Sequence, residues 1–152
     1  MTFEAAVRAT PEIRNGYYPG LRALKGEHRT KVTRKTTQCS WRGSVDMDAD
    51  LAARYPNDAR WDYAIGFGYQ SRQDGVAFVE VHHASSSEVE TVIRKKDWLT
   101  GWVARSAPSL RGMAPGGFHW VSTDGVHIPQ GSRQRRRLAL SGITVGSMAR
   151  IG

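Results

Sequence analysis

Between Arg60 and Val103 the sequence leaves little room for loops: RWDYAIGFGY, a short polar break, GVAFVEVHHA, then SSSEVETVIRKKDWLTGWV. The pattern predicts strand, turn, strand, helix. In the strand expected at 61–69, Trp61, Tyr63, Ile65 and Phe67 alternate with Asp62, Ala64, Gly66 and Gly68, the period of two that a pleated strand imposes. A turn is expected at Asp74-Gly75. The strand expected at 76–83 has Ala77, Val79 and Val81 on one face and Val76, Phe78, Glu80 and His82 on the other. Apolar residues on both faces predict a central strand, covered on both sides. Charged side chains persist in such strands only when something pairs with or coordinates them, so Asp62, Glu80 and His82 are the first candidates for chemistry.

The helix of this unit is expected from about Ser86 to Ala104, capped by Ser85 or Ser87, with Glu88 and Glu90 favouring its positive end. Its apolar stripe reads Val89, Val92, Ile93, Leu99 and Val103, and Lys96 falls within it. Upstream, residues 41–51 alternate cleanly: Val45, Met47, Ala49 and Leu51 against Ser44, Asp46, Asp48 and Asp50. They predict a further strand, antiparallel to 61–69, with its acids on the side of Asp62; a slip of one residue would reverse that face. Short helices are expected at 3–9 and 21–29, strands at 118–121 and 126–128, and a last helix from about 131 to 141, with the Gly-rich MAPGG segment as a loop. The resulting order predicts one α/β domain over residues 1–152, a sandwich with a mixed central sheet of four to five strands flanked by helices.

Composition bounds the partners. The chain of 152 residues has 22 Lys and Arg against 14 Asp and Glu, a formal net charge of +8. That balance suits a polyanion such as DNA or RNA, and a protein partner is the alternative. The basic residues cluster at 25–35 and at Arg133, Arg135, Arg136 and Arg137, which are the candidate nucleic-acid contacts; their plainer reading is a solvated helix face. No apolar run approaches the ~20 residues of a membrane span, so no membrane partner is expected. The single cysteine, Cys39, excludes an internal disulfide and argues against a cysteine-based zinc site. With no secretory signal in MTFEAAVRATPEIR, these features predict a cytoplasmic location.

Helix, three-strand meander, helix, strand is the core topology of the restriction-endonuclease-like, or PD-(D/E)xK, superfamily, and the chain resembles it from about Leu21 to Ser141. GSVDMD, RWDYAIG and VEVHHASSSEV also resemble a small uncharacterised bacterial group with this fold. The superfamily carries an Asp on the second strand and (Glu/Asp)-x-Lys on the third; Asp62 and Glu80-Val81-His82 match, with His82 in place of the Lys. The resemblance implies a Mg²⁺ or Mn²⁺ ion held by Asp62 and Glu80, and phosphodiester cleavage in DNA or RNA. Hard cations of this kind prefer carboxylate and water oxygens, and they lower the pKa of water while neutralising charge on phosphorus.

A neutral His82 suits a general base. The missing cation has a geometric substitute. From Glu80 to Ala84 the strand covers about 13 Å, and a helix returning along it needs about nine residues for that distance. This brings Arg94–Lys96 level with Glu80, and Lys96, in the inward stripe, is the expected lysine. The plainer readings stand beside these: a structural acid–base pair for Asp62 and Glu80, a core histidine bonded to backbone for His82, and a Lys96 stem lying along apolar surface with its ammonium in water. A non-catalytic binding module of the same fold is the rival to a nuclease.

Overall fold

The computed structural model describes residues 1–152. Its early elements are short. Thr2 caps α1 (Phe3–Arg8) by accepting the Ala5 N–H at 3.1 Å. The helix expected at 21–29 is reduced to one turn, α2 (Gly26–Arg29), and is followed by β1 (Val32–Arg34).

The strand expected at 41–51 is corrected. β2 (Ser40–Asp46) stops at Asp46, whose carboxylate accepts the Ala49 N–H at 3.0 Å and caps α3 (Met47–Leu51). Met47 and Leu51 are four residues apart, so they bury as well from a helix turn as from a strand. A capping Asp and two acids in the first turn decide for the helix. Asp46, Asp48 and Asp50 therefore do not form one face of a strand.

β3 (Tyr63–Gly68) and β4 (Gly75–Val81) are buried along their whole length. Because β3 begins at Tyr63, Trp61 is not on the face of Tyr63 and Ile65 as expected; it lies with the helices, edge-on to Phe118 at 6.1 Å. After β5 (Ala84–Ser85) and a 3₁₀ turn (Ser86–Glu88) comes α4 (Val89–Ser106), the longest helix. Ser85 and Ser87 bond each other at 3.0 Å and leave its start uncapped by side chains. Then follow α5 (Pro108–Arg111), β6 (Ala114–Val121), β7 (Val126–His127), α6 (Arg133–Leu140), β8 (Ile143–Gly146) and β9 (Ala149–Ile151). The MAPGG segment is not a loop, since from Ala114 it pairs with the start of β4. A register shift in that pairing and the positive φ of Gly117, 88°, accommodate the irregularity.

The central sheet is mixed and five-stranded, in the order β2-β3-β4-β6-β8. The first two junctions are antiparallel and the last two parallel. α4 and α6 provide the crossovers that parallel neighbours require. One face packs Ala64, Val76, Phe78 and Trp120 against α1, α3, α4, α5 and α6. The other packs Tyr63, Ile65, Phe67, Val79 and Val121 against Leu24, Val32, Cys39 and Ile151. Here the cover is an irregular segment and the parallel β1–β9 pair. No helix is long and apolar enough to cross a membrane.

Candidate active site

Asp62 and Glu80 are brought together by register. In the β3–β4 pair Tyr63 faces Val79, and one step beyond it Asp62 faces Glu80, a separation at which antiparallel side chains touch. The two acids exchange strands. Glu80 Oε1 accepts the Asp62 N–H at 3.1 Å, and Asp62 Oδ2 accepts the Val81 N–H at 2.9 Å. Glu80 is completely buried, whereas Asp62 keeps partial access to solvent.

The lysine at this site is Lys95, not Lys96. Lys95 Nζ donates to Glu80 Oε2. Lys96 turns away: its ammonium donates to the Ser141 carbonyl at the end of α6 and lies 4.8 Å from the centre of the Phe118 ring. Arg94–Lys96 do lie level with Glu80, but within that turn it is Lys95, outside the expected stripe, that reaches the carboxylate. Trp102 is buried and Val103 only partly so. A stripe drawn through Val92, Leu99 and Trp102 rotates toward Lys95, three residues after Val92 and four before Leu99. That is the signal the sequence held for Lys95.

Electrostatics mark this cluster as unbalanced. Burial pushes the Glu80 carboxyl up to about 8, and the charge of Asp62 adds to the effect despite Lys95. Asp62 is also raised, first by burial, with Asp48 and Asp46 contributing and Lys95 and the Val81 amide opposing. For Lys95, burial favours the neutral amine, but Glu80 and Asp62 outweigh it and hold the ammonium above its ordinary value. Two carboxylates thus share one ammonium, and the second ionisation is the costly one.

His82 follows the end of β4, with Nδ1 3.9 Å from Glu80 Oε2 and Nε2 2.8 Å from Glu88 Oε2. The imidazole is thus bonded to a carboxylate rather than to backbone, and the Trp120 indole donates to the His82 carbonyl at 3.0 Å. The hydrogen bond from His82 holds Glu88 below the usual carboxylate range.

No group of three His, Cys, Asp or Glu side chains is arranged to hold a metal. A transition-metal cage is therefore a poor fit, but Mg²⁺ and Mn²⁺ need less. One or two protein carboxylates, completed by water and phosphate, are a usual set, and Asp62 and Glu80 supply hard oxygens, with negative charge in excess once both are ionised.

The arginines of α6 are mostly engaged. Arg137 pairs with Glu90 through two hydrogen bonds of 2.9 and 2.8 Å. Arg135 and Arg136 donate to the carbonyls of Ile128 and Gly131. Arg133 is exposed and makes no such contact. Comparison of the chain with known protein families, curated proteins and solved structures gives no match.

Proposed function

We propose that this protein is a Mg²⁺- or Mn²⁺-dependent nuclease of the restriction-endonuclease-like fold, acting on DNA or RNA. The observation that carries the reading is the meeting of Asp62, Glu80 and Lys95 at one end of the sheet. The strand arrangement supports it, since an antiparallel meander followed by a crossover helix and a parallel strand is the topology expected from the resemblance. Asp62 and Glu80 would hold the ion, which supplies a water of lowered pKa and neutralises charge on phosphorus. Lys95 is the fixed cation that His82 cannot be while neutral, and it stabilises a non-bridging phosphate oxygen. Glu88, bonded to Nε2 of His82, keeps the proton on that nitrogen and leaves Nδ1 free to accept one from water. The net charge of +8 favours association with a polyanion.

The second reading is a nucleic-acid- or protein-binding module that keeps the sheet without the chemistry. One observation favours it: the Lys95–Glu80 ion pair already neutralises one of the two carboxylates. Incubation with supercoiled plasmid and with single-stranded RNA, each with Mg²⁺ or Mn²⁺, separates the two. Metal-dependent cutting lost in Asp62→Asn, Glu80→Gln and Lys95→Met is the expected result. Salt-sensitive retention of nucleic acid without cutting under either metal would overturn the nuclease in favour of the binding module.

A further inference from the structure

Behind the carboxylates, the space between α4 and the sheet widens into a cavity of about 280 Å³. Phe78 and Phe118, stacked at 5.4 Å with their planes 17° apart, form its floor. Leu99 and Val103 of α4 and Leu110 and Met113 near α5 line the rest. Gly116 and Gly117 complete one side without side chains. The only charged residue of the lining is Arg111, which is exposed and forms no ion pair. A recess with apolar walls, one cation and no acid is complementary to a molecule with an apolar body and a single negative end.

We propose that this cavity binds a small aliphatic monocarboxylate, its chain against Phe78, Phe118, Leu99 and Val103 and its carboxylate on Arg111. The recess has room for a short aliphatic chain rather than for a single ion or water. The planar guanidinium matches a carboxylate in two parallel hydrogen bonds, which a phosphate-binding lysine would not do. The site does not depend on the nuclease reading. Two of its lining residues nonetheless lie close to that site along the chain. Phe78 precedes Glu80 by two residues on the same face of β4, and Leu99 follows Lys95 by one turn of α4.

Octanoate, octanol and octylamine, titrated against the whole chain and followed by calorimetry and thermal melting, test the assignment. Octanoate is expected to bind saturably, one per chain, and roughly tenfold or more tighter than either neutral or cationic analogue. Arg111→Gln should remove that preference while leaving octanol binding unchanged. Val103→Trp, which fills the recess, should abolish binding of all three. Thr100→Trp at the rim does the same with less risk to the core. Octanol or octylamine binding as tightly as octanoate would overturn the charge assignment. Binding that survives both tryptophan variants, or no saturable binding of octanoate, would overturn the site.

Discussion

Glu12 and Glu80 are both carboxylates withdrawn from water, and their surroundings complete them differently. Glu12 accepts the Tyr55 hydroxyl at 2.8 and 3.1 Å and the Trp102 indole N–H at 2.6 Å, and it pairs with Arg54 at 3.3 Å. Every donor around it is neutral or positive, so the knot ties the N-terminal segment to the region after α3 and to α4. Glu80 receives an amide and an ammonium, but a second acid stands opposite. The first arrangement needs nothing more. The second carries a surplus of negative charge that only a proton or a cation removes. Burial of a carboxylate alone therefore does not indicate a site; an unbalanced set of donors does.

The largest expected effect breaks the finished knot. Glu12→Ala strands the Tyr55 hydroxyl and the Trp102 N–H, at ~1–3 kcal/mol for each unsatisfied group. A loss of roughly 3 kcal/mol should appear as a fall of roughly 6–12 °C in melting temperature, whether or not divalent metal is present. A Glu12→Ala variant with unchanged stability would remove the contrast.

A divalent cation should act only on the unbalanced cluster. At ten times its dissociation constant an ion stabilises by roughly 1.4 kcal/mol, so Mn²⁺ should raise the melting temperature of the wild type by roughly 3–6 °C. Glu12→Ala should keep that increment and Glu80→Gln should lose it. Equal increments in all three would place the metal elsewhere.

Without metal, Glu80→Gln should have the opposite sign to Glu12→Ala at pH 8. An unfolded Glu ionises near its ordinary 4.5, whereas folded Glu80 holds its proton to about 8. Between these values the native state binds more protons, so stability falls as pH rises through the window. Melts of the wild type from pH 5 to pH 8.5 should show that decline, and the amide variant, with no proton to lose, should run flatter and end more stable than the wild type. A flat wild-type profile would mean that Lys95 balances Glu80 fully.

The parts legible in the sequence are those whose rules are local. β3, β4 and α4 follow from period, run length and acid placement, and the facing of Asp62 and Glu80 follows from pairing β3 with β4 in register. The parts that escaped depend on distant partners or on two patterns that coincide. Residues 47–51 satisfy strand alternation and helical spacing at once, and only the cap at Asp46 separates the two. β1 and β9 pair from opposite ends of the chain, so neither is defined until the other is in place. The strand at 114–117 is hidden by Pro115, Gly116 and Gly117, whose composition reads as a loop. Asp74, expected only to turn the chain, is buried, accepts the Phe3 N–H at 2.9 Å and pairs with Arg42, fixing α1 to the sheet.

The smallest expected effect on stability belongs to one of two lysines, and it sharpens the comparison most. They are neighbours on one helix, a rotation of about 100° apart, and their roles are separate. Lys96 satisfies a terminal carbonyl of α6 and lies over Phe118, contacts worth about 1 kcal/mol together. Lys96→Met should therefore cost about that much in a denaturant melt and leave nucleic-acid cleavage within about twofold of wild type. Lys95→Met removes the ammonium from beside two carboxylates. It should push the ionisation of Glu80 to still higher pH, extend the decline of stability to higher pH, and reduce cleavage by roughly a hundredfold. The pair also separates packing from chemistry, because methionine preserves most of either stem. If Lys96→Met lost cleavage while Lys95→Met kept it, the cation of the site would have been placed on the wrong side of α4.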